Sequence, residues 1–453
     1  MRDTSKNYMV TGNLWSGMLL FSLPLMASNL LQVLFNMADV AVIGRFGGTL
    51  SLGSVGSTTT LILVFTSLLI GLGSGINVLT AQQLGAGHTQ DIHRTVHTSA
   101  LTALLYGVLL CLFGEAVSAP ILRLIGTKDV LFDGAVLYFR IYLLGLPAMS
   151  LFNYGNAVYS AAGNTKKPLA ILTTAGLLNV VLNLFFVILC KMDVAGVALA
   201  SVLSQYLSAV LVLFALTRVH EDWGMKLTEL RLHPETMRKV LSLGIPAGIQ
   251  NAIFAIANLF IQSGVNSFSA EMVSGNSAAS NADAMVYDVM AAVYTACSSF
   301  MGQNYGAGKK KRMRDSYLIA LLYSFLVALL MGIALYLNGP AFLSLFTTDP
   351  AVIECGMEKL RIMSISYCVS AFMDNTIAAS RALGRTLVPL IVVILGSCVF
   401  RVLWIYTVFA YFHTIQSLYL LYVCSWSLTA FFEILYFVRV FRRILPEPAV
   451  VSA

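Results

Sequence analysis

The chain has 453 residues, of which 58% are hydrophobic and 11% charged, whereas a soluble domain is typically about 25% charged. So few charges cannot cover a water-facing surface, which excludes a soluble globular protein. The net charge of +7 does not indicate nucleic-acid binding either, because the basic residues are spread over many short segments and not gathered on one face.

The apolar runs are continuous and mostly near the roughly 20 residues that cross a bilayer as a helix. They do not alternate every second residue, so helices are expected and not a barrel. In chain order the first half gives helices near 14–40, 51–80, 95–117, 130–160, 168–189 and 193–217. The first is too long for a cleaved signal peptide and lacks a small-residue cleavage site. It carries Asn29, Gln32, Asn36 and Asp39, whose spacing puts all four on one face. A carboxylate at the bilayer centre costs on the order of 2.5–3.5 kcal/mol, so this stripe is expected to face the protein interior or a water-filled cavity. The fifth helix adds Asn179 and Asn183 one turn apart. Two amides there suit either interhelical hydrogen bonding or a protonated carboxyl or cation.

A segment from about Arg218 to Lys239 follows, with charges of both signs, a Trp and a Pro. It is expected to be an inner linker, partly helical along the membrane surface. The second half gives helices near 240–265, 275–302, 315–337, 351–380, 388–410 and 415–438. Asp283 and Asp288 fall in the eighth and Asp374 in the tenth. Arg401 falls in the eleventh, where it needs an acid such as Asp374 or helix-end carbonyls as partner. Glu433, near the end of the last helix, is expected to pair with Arg439 or to snorkel.

The two halves repeat. Ala81-Gln-Gln-Leu-Gly-Ala-Gly87 matches Gly302-Gln-Asn-Tyr-Gly-Ala-Gly308, and Gly163-Asn-Thr-Lys-Lys-Pro168 matches Gly384-Arg-Thr-Leu-Val-Pro389, both displaced by 221 residues. Upstream, Pro24, Asn29 and Asn36 match Pro246, Asn251 and Asn258 at 222. The glycines are read as helix stops and tight turns. In this register Asp39 faces Ile261 and Asp374 faces Asn153, so each acid is peculiar to one half. Six helices per half make the repeat parallel. The expected fold is therefore all-α integral membrane, with twelve transmembrane helices in two six-helix lobes related by a pseudo-twofold along the membrane normal. The divisions expected are an N-lobe at 1–220, a cytoplasmic linker at 221–240, a C-lobe at 241–440 and a cytoplasmic tail at 441–453.

Most of the 28 Lys and Arg fall on one set of connections, from Arg2 and Lys6 through Lys166, Lys167, Arg238 and Lys309 to Arg443. Arg45, Arg123, Lys128, Lys191, Lys359 and Arg361 fall on the other. This bias places both termini in the cytoplasm and the chain in the cytoplasmic (inner) membrane. The seven Cys form no C-x-x-C and read as small packing residues. His93 and His97 share a helix face, for which a solvated or headgroup position is expected ahead of a metal site.

The pattern Pro24, Gln32, Asn36, Asp39, Gly44-Arg45, with Gly163-Asn-Thr-Lys-Lys-Pro168, Asn179, Asn183 and Gln303-Asn-Tyr-Gly-Ala-Gly308, resembles the multidrug and toxic compound extrusion (MATE) transporters of prokaryotes, from about residue 12 to 440. The resemblance implies export of organic, cationic or amphiphilic compounds by alternating access, in antiport with protons or sodium. It also implies an N-lobe cation site around Asp39, with Gln32, Asn36, Tyr138, Asn156, Asn179, Asn183 and Ser201 as its polar neighbours. Many members have Asp where this chain has Asn183, which removes a negative charge and favours protons over a sodium ion at Asp39, Asn179 and Asn183. The seventh-helix acid of one sodium-coupled branch is missing, and Asp374 lies about one turn from that branch's tenth-helix acid. Asn258, Asp288, Asp374 and Arg401 are the residues expected to matter in the second lobe. No cofactor and no resident metal are expected. The partners are small organic substrates, a coupling cation and the bilayer, and a monomer is expected. The alternatives are a flippase or exporter of lipid-linked or saccharide substrates, which would need a cationic cavity, and an integral-membrane enzyme. The latter needs a cluster of catalytic groups near one face, and the acids here are scattered singly.

Overall fold

The computed structural model describes residues 8–444. Arg2, Lys6 and the tail from 445 onward lie outside the described residues. A short helix, Tyr8–Thr11, precedes twelve long helical segments. These are α1 (Leu14–Gly47), α2 (Gly48–Ala86), α3 (Thr89–Leu124) and α4, which is bent by 44° between Asp129–Leu143 and Leu146–Ala161. Then come α5 (Lys166–Leu189), α6 (Asp193–Thr217), α7 (Pro234–Val265) and α8 (Ala270–Gly306). The last four are α9 (Lys310–Leu343), α10 (Pro350–Ala382), α11 (Leu387–Phe412) and α12 (Ile415–Arg442). No strand occurs among the described residues. Among the described residues, ten helices are long and apolar enough to cross a membrane, and eleven are when the bent pair counts as one span. The twelfth, α10, has 33 residues but carries charges from Glu354 to Arg381. It tolerates them because most of its length is buried against α8, α9 and α12.

The repeat is visible in the backbone. Gly87 and Gly308 end α2 and α8 with φ of 71° and 72°, and Gly163 and Gly384 end α4 and α10 with φ of 86° and 74°. A left-handed residue there lets the chain stop the helix and turn at once. Helical turns widen to the π form at Ile43–Gly47 in α1, Phe185–Leu189 in α5 and at two places in α11. Such turns accommodate an extra residue and recur at functional positions.

The chain forms two compact units, Ala27–Ala252 and a second made of the residues up to Met26 together with those from Ile253. The lobes read from the sequence, divided at 220 and 240, differ from these units at both ends. Each crossing falls just past a repeated proline, Pro24 or Pro246. The reason is local packing. Asn304 donates to the Met9 carbonyl at 3.0 Å, and Phe21 meets Phe300 edge-on at 5.7 Å. In the other unit, Gly71 and Gly75 of α2 lie against the backbone of Gly248 and Gly244 of α7, so close that a Cβ at Gly71 would sit 2.0 Å from Gly248 N.

The linker is helical in part: residues 234–239 already belong to α7, and Leu227–Glu229 forms one short turn. A further turn closes at Glu221, whose carbonyl accepts the Gly224 N–H at 2.8 Å, and the rest is irregular, its partners being side chains of α3 and α4. Met225 is buried against Tyr154, and Trp223 meets Tyr159 edge-on at 5.3 Å.

Candidate functional site

Asp39 stands on α1 just before the π turn, and its carboxylate is held from two helices. Asn183 Nδ2 of α5 donates to Oδ1, and Ser201 Oγ of α6 donates to Oδ2 at 3.2 Å. Asn183 Nδ2 also donates to Asn179 Oδ1 at 3.3 Å, and Asn179 Nδ2 reaches Ser201 Oγ at 3.5 Å. The four residues therefore form a closed ring. Asn179, Asn183 and Ser201 are buried, and Asp39 is half-buried. No basic side chain pairs with Asp39 among the described residues. Asn183 Oδ1 is buried and accepts no hydrogen bond among them, an arrangement that costs about 1–3 kcal/mol. The ring has the chemistry of a site for a proton or a small monovalent cation: one carboxylate, two amides and a hydroxyl. Its single carboxylate is a weak donor set for a hard metal ion.

The other expected members are more loosely attached. Tyr138 is buried on α4 beside Tyr142, and both feel the charge of Asp39. Gln32 and Asn36 are exposed on the face that carries Asp39, and Asn156 is half-buried outside the ring.

The second unit differs from the expectations. Arg401 is 1% exposed, yet its partners are neutral. Its Nε donates to Ser425 Oγ at 3.2 Å and its Nη1 to Asn258 Oδ1 at 3.1 Å, and its guanidinium lies over the Tyr422 ring at 4.9 Å. Asp374 is not its partner. Asp374 instead shares the field of Arg381 with Glu433. Glu433 is fully buried and neither snorkels nor pairs with Arg439. Neither of its oxygens, nor Oδ2 of Asp374, has a hydrogen-bond partner among the described residues. Asp288 is half-buried one residue beyond Tyr287 on α8.

Sequence reading missed one constellation. Lys359, expected on a connection, is buried in α10. It pairs with Asp283 of α8 at 2.7 Å and donates to Ser280 at 2.7 Å. Tyr367, two turns further along α10, donates to the other Asp283 oxygen at 2.5 Å. The signal was present in the eight-residue spacing of Lys359 and Tyr367, which places them on one face opposite an acid in another helix.

His93, His97 and Glu229 bring ligand atoms within 4.8 Å of one another, but His97 is buried and not open to a metal, while His93 keeps a side chain that is 34% exposed. His97 Nδ1 meets the His93 carbonyl at 2.7 Å, and its Nε2 accepts the Lys226 N–H at 3.0 Å. Both ring nitrogens are used, so the imidazole has no lone pair left for a metal. His93 pairs with Glu229 at 2.7 Å. Thr98 donates to the Arg231 carbonyl at 3.1 Å and accepts from His233 N–H at 3.2 Å. Together these contacts latch the linker to α3.

A family model described as MatE matches residues 24–185 and again 246–407, which reproduces the internal repeat. The probable multidrug resistance protein YpnP of Bacillus subtilis (strain 168) is 29% identical over 83% of this chain and 85% of its own length. The probable multidrug resistance protein NorM of Thermotoga maritima is 24% identical over 82% and 80%. Among solved structures, a MOP superfamily transporter from Pyrococcus furiosus superposes with a TM-score of 0.91 at 21% identity, covering 98% of this chain and 99% of the other.

Proposed function

The chain belongs to the MatE family of multidrug efflux transporters, and from that premise we propose that it exports organic cations and amphiphiles in antiport with protons, coupled at Asp39. The observation that carries this reading is an acid in a membrane helix whose hydrogen-bond partners are all neutral. An ionised carboxylate without a counter-charge in an apolar medium is costly, so a proton has a large effect there.

When Asp39 is ionised, the amide N–H2 of Asn183 and the hydroxyl of Ser201 stabilise its charge. When Asp39 takes up a proton, its O–H becomes a donor. Rotation of the Asn183 amide by half a turn then presents the otherwise unpartnered Oδ1 as acceptor. The rotation gives up the Asn183 donation to Asn179 Oδ1, so the ring is bonded differently in the two protonation states. The change alters how α1 is held against α5 and α6. Pro24 lies just before α1 passes from one compact unit to the other, and it interrupts the helical hydrogen bonds where a bend is cheapest. Protonation from one side would displace substrate, and release of the proton on the other side would reset the ring. The chain would act as a monomer in the inner membrane with both termini cytoplasmic, the orientation that the Lys and Arg distribution supports.

The test uses proteoliposomes, a fluorescent organic cation and an imposed proton or sodium gradient, with wild type and Asp39→Asn compared. Proton-driven uptake that disappears in the variant is the expected result. Wild-type rates in Asp39→Asn, or uptake that follows only sodium, would overturn the reading.

A further inference from the structure

The two units place comparable polar groups on corresponding helices but with opposite charge. In one, the acid Asp39 of the first helix meets Asn183 of the fifth and Ser201 of the sixth. In the other, the amide Asn258 of the first helix (α7) meets Arg401 of the fifth (α11), which also meets Ser425 of the sixth (α12). Asn258 is the repeat counterpart of Asn36. The second set therefore carries a fixed cation, on its fifth helix, and the first set an acid, on its first helix.

Arg401 is 1% exposed and has no carboxylate partner among the described residues. Guanidinium offers five N–H donors, and its side-chain hydrogen bonds are the two to Ser425 and Asn258. A buried charge without a counter-charge is the most expensive group a protein can place in an apolar medium. The same residue forms part of the wall of a cavity of about 190 Å³ that is otherwise lined by Ile253, Ile256, Phe260, Ile394 and Cys398 among others. The pocket thus offers apolar surface for a hydrophobic body, with the Arg401 side chain in its wall.

We propose that this pocket binds an amphiphilic organic monoanion, with its acidic group on Arg401 and its apolar body in the cavity between α7 and α11, as a second cargo site. The depth favours a carried solute over a lipid headgroup. Arg401 lies about 16 Å from Phe412 and about 21 Å from Leu387 along its helix, whereas headgroups sit at the two ends of a hydrocarbon core about 30 Å thick. The inference rests on the chain carrying small organic solutes and does not need Asp39 to be the coupling group.

The experiment measures binding of radiolabelled 4-phenylbutyrate to the purified full chain in a neutral detergent. The acid, its neutral amide and phosphatidylglycerol serve as competitors. The acid is expected to compete at least about tenfold better than the amide, the range of a charge-assisted hydrogen bond. Arg401→Gln should lose that preference, and Arg401→Lys should retain part of it. Asn258→Asp keeps the size of the side chain and supplies an internal carboxylate for Arg401. It should abolish binding of the acid even if Arg401→Gln fails to fold. Binding is read without any ion gradient, so failure of the coupling scheme leaves this result untouched. Equal competition by acid and amide, or unchanged binding in Asn258→Asp, would refute the site. Occupancy by phosphatidylglycerol without binding of the acid would refute the cargo assignment.

Discussion

Asn183 of α5 donates one amide nitrogen to both Asp39 of α1 and Asn179 one turn earlier in its own helix. Since Asn179 also reaches Ser201 and Ser201 reaches Asp39, no member of the ring can turn without breaking a bond of its neighbour. The carboxylate is fixed by neutral groups alone, so the charge state of the ring is decided entirely by what binds to Asp39.

Replacing Asn183 by Leu keeps its volume and removes both donations. Loss of a hydrogen bond to a charged group is worth about 1.5–3 kcal/mol, so proton-driven transport should fall about ten- to a hundredfold. Ser201→Ala should cost less, because Asn183 still holds the other oxygen. Asn183→Asp adds a second carboxylate and should make transport respond to sodium. Initial rates under matched proton and sodium gradients check all three, and a sodium-insensitive Asn183→Asp would count against the ring as a cation site.

The Lys359–Asp283 pair should respond asymmetrically to its two deletions. Asp283→Asn leaves a lysine side chain that is 3% exposed without its partner, whereas Lys359→Met leaves a carboxylate that is 25% exposed and still bonded to Tyr367. Removing one member of a buried pair costs about 3–5 kcal/mol, and Asp283→Asn should lie at the upper end of that range. The combined Asp283→Leu, Lys359→Met change should recover much of the loss. Thermal inactivation midpoints of the purified variants decide it, and equal losses for the two single changes would show that exposure does not govern the pair.

Gly71→Ala places a methyl 2.0 Å from Gly248 N and 2.2 Å from its Cα. Backbone atoms have no side-chain freedom with which to yield, so α2 and α7 must separate, at a cost of about 1–3 kcal/mol. Gly56→Ala meets nothing within 4 Å and should stabilise α2 by about 0.5–1 kcal/mol. Scanning fluorimetry at one heating rate distinguishes them, and a neutral Gly71→Ala would contradict the close approach.

The linker latch predicts protection of segment 223–233 in hydrogen exchange. His97→Phe and Thr98→Val should each speed exchange there, most at Lys226 and His233 whose amides they free. Lys226, which donates to Glu229, holds that carboxyl below the usual carboxylate range, assisted by His93 and His97. A lowered value means that the contribution of Glu229 is present above its ordinary range and is lost as pH falls through the depressed one. Protection at His233, corrected for intrinsic rates, should therefore persist from neutral pH to below about 4.3, whereas Lys226 should lose protection earlier, when protonation of His97 removes the Nε2 lone pair that accepts its N–H. Loss of protection at His233 near pH 6 would show that Glu229 is not part of the latch.

The sequence by itself determined the helices, their repeat and the polar face of α1. Those features are local: apolar length sets a span, a spacing of three and four sets a face, and a glycine sets a stop. The motif resemblance also brought Asn183 and Ser201 to Asp39. Tertiary structure alone decided which side chains meet across helices. Arg401 settled on Asn258 and Ser425 and not on Asp374, Lys359 sank into α10 to meet Asp283, and His97 became a strut for the linker. The physical reason is that such pairings depend on the rotation and tilt of each helix against its neighbours. The packing of small residues such as Gly71 and Gly248 fixes those angles, and helical periodicity carries no information about them.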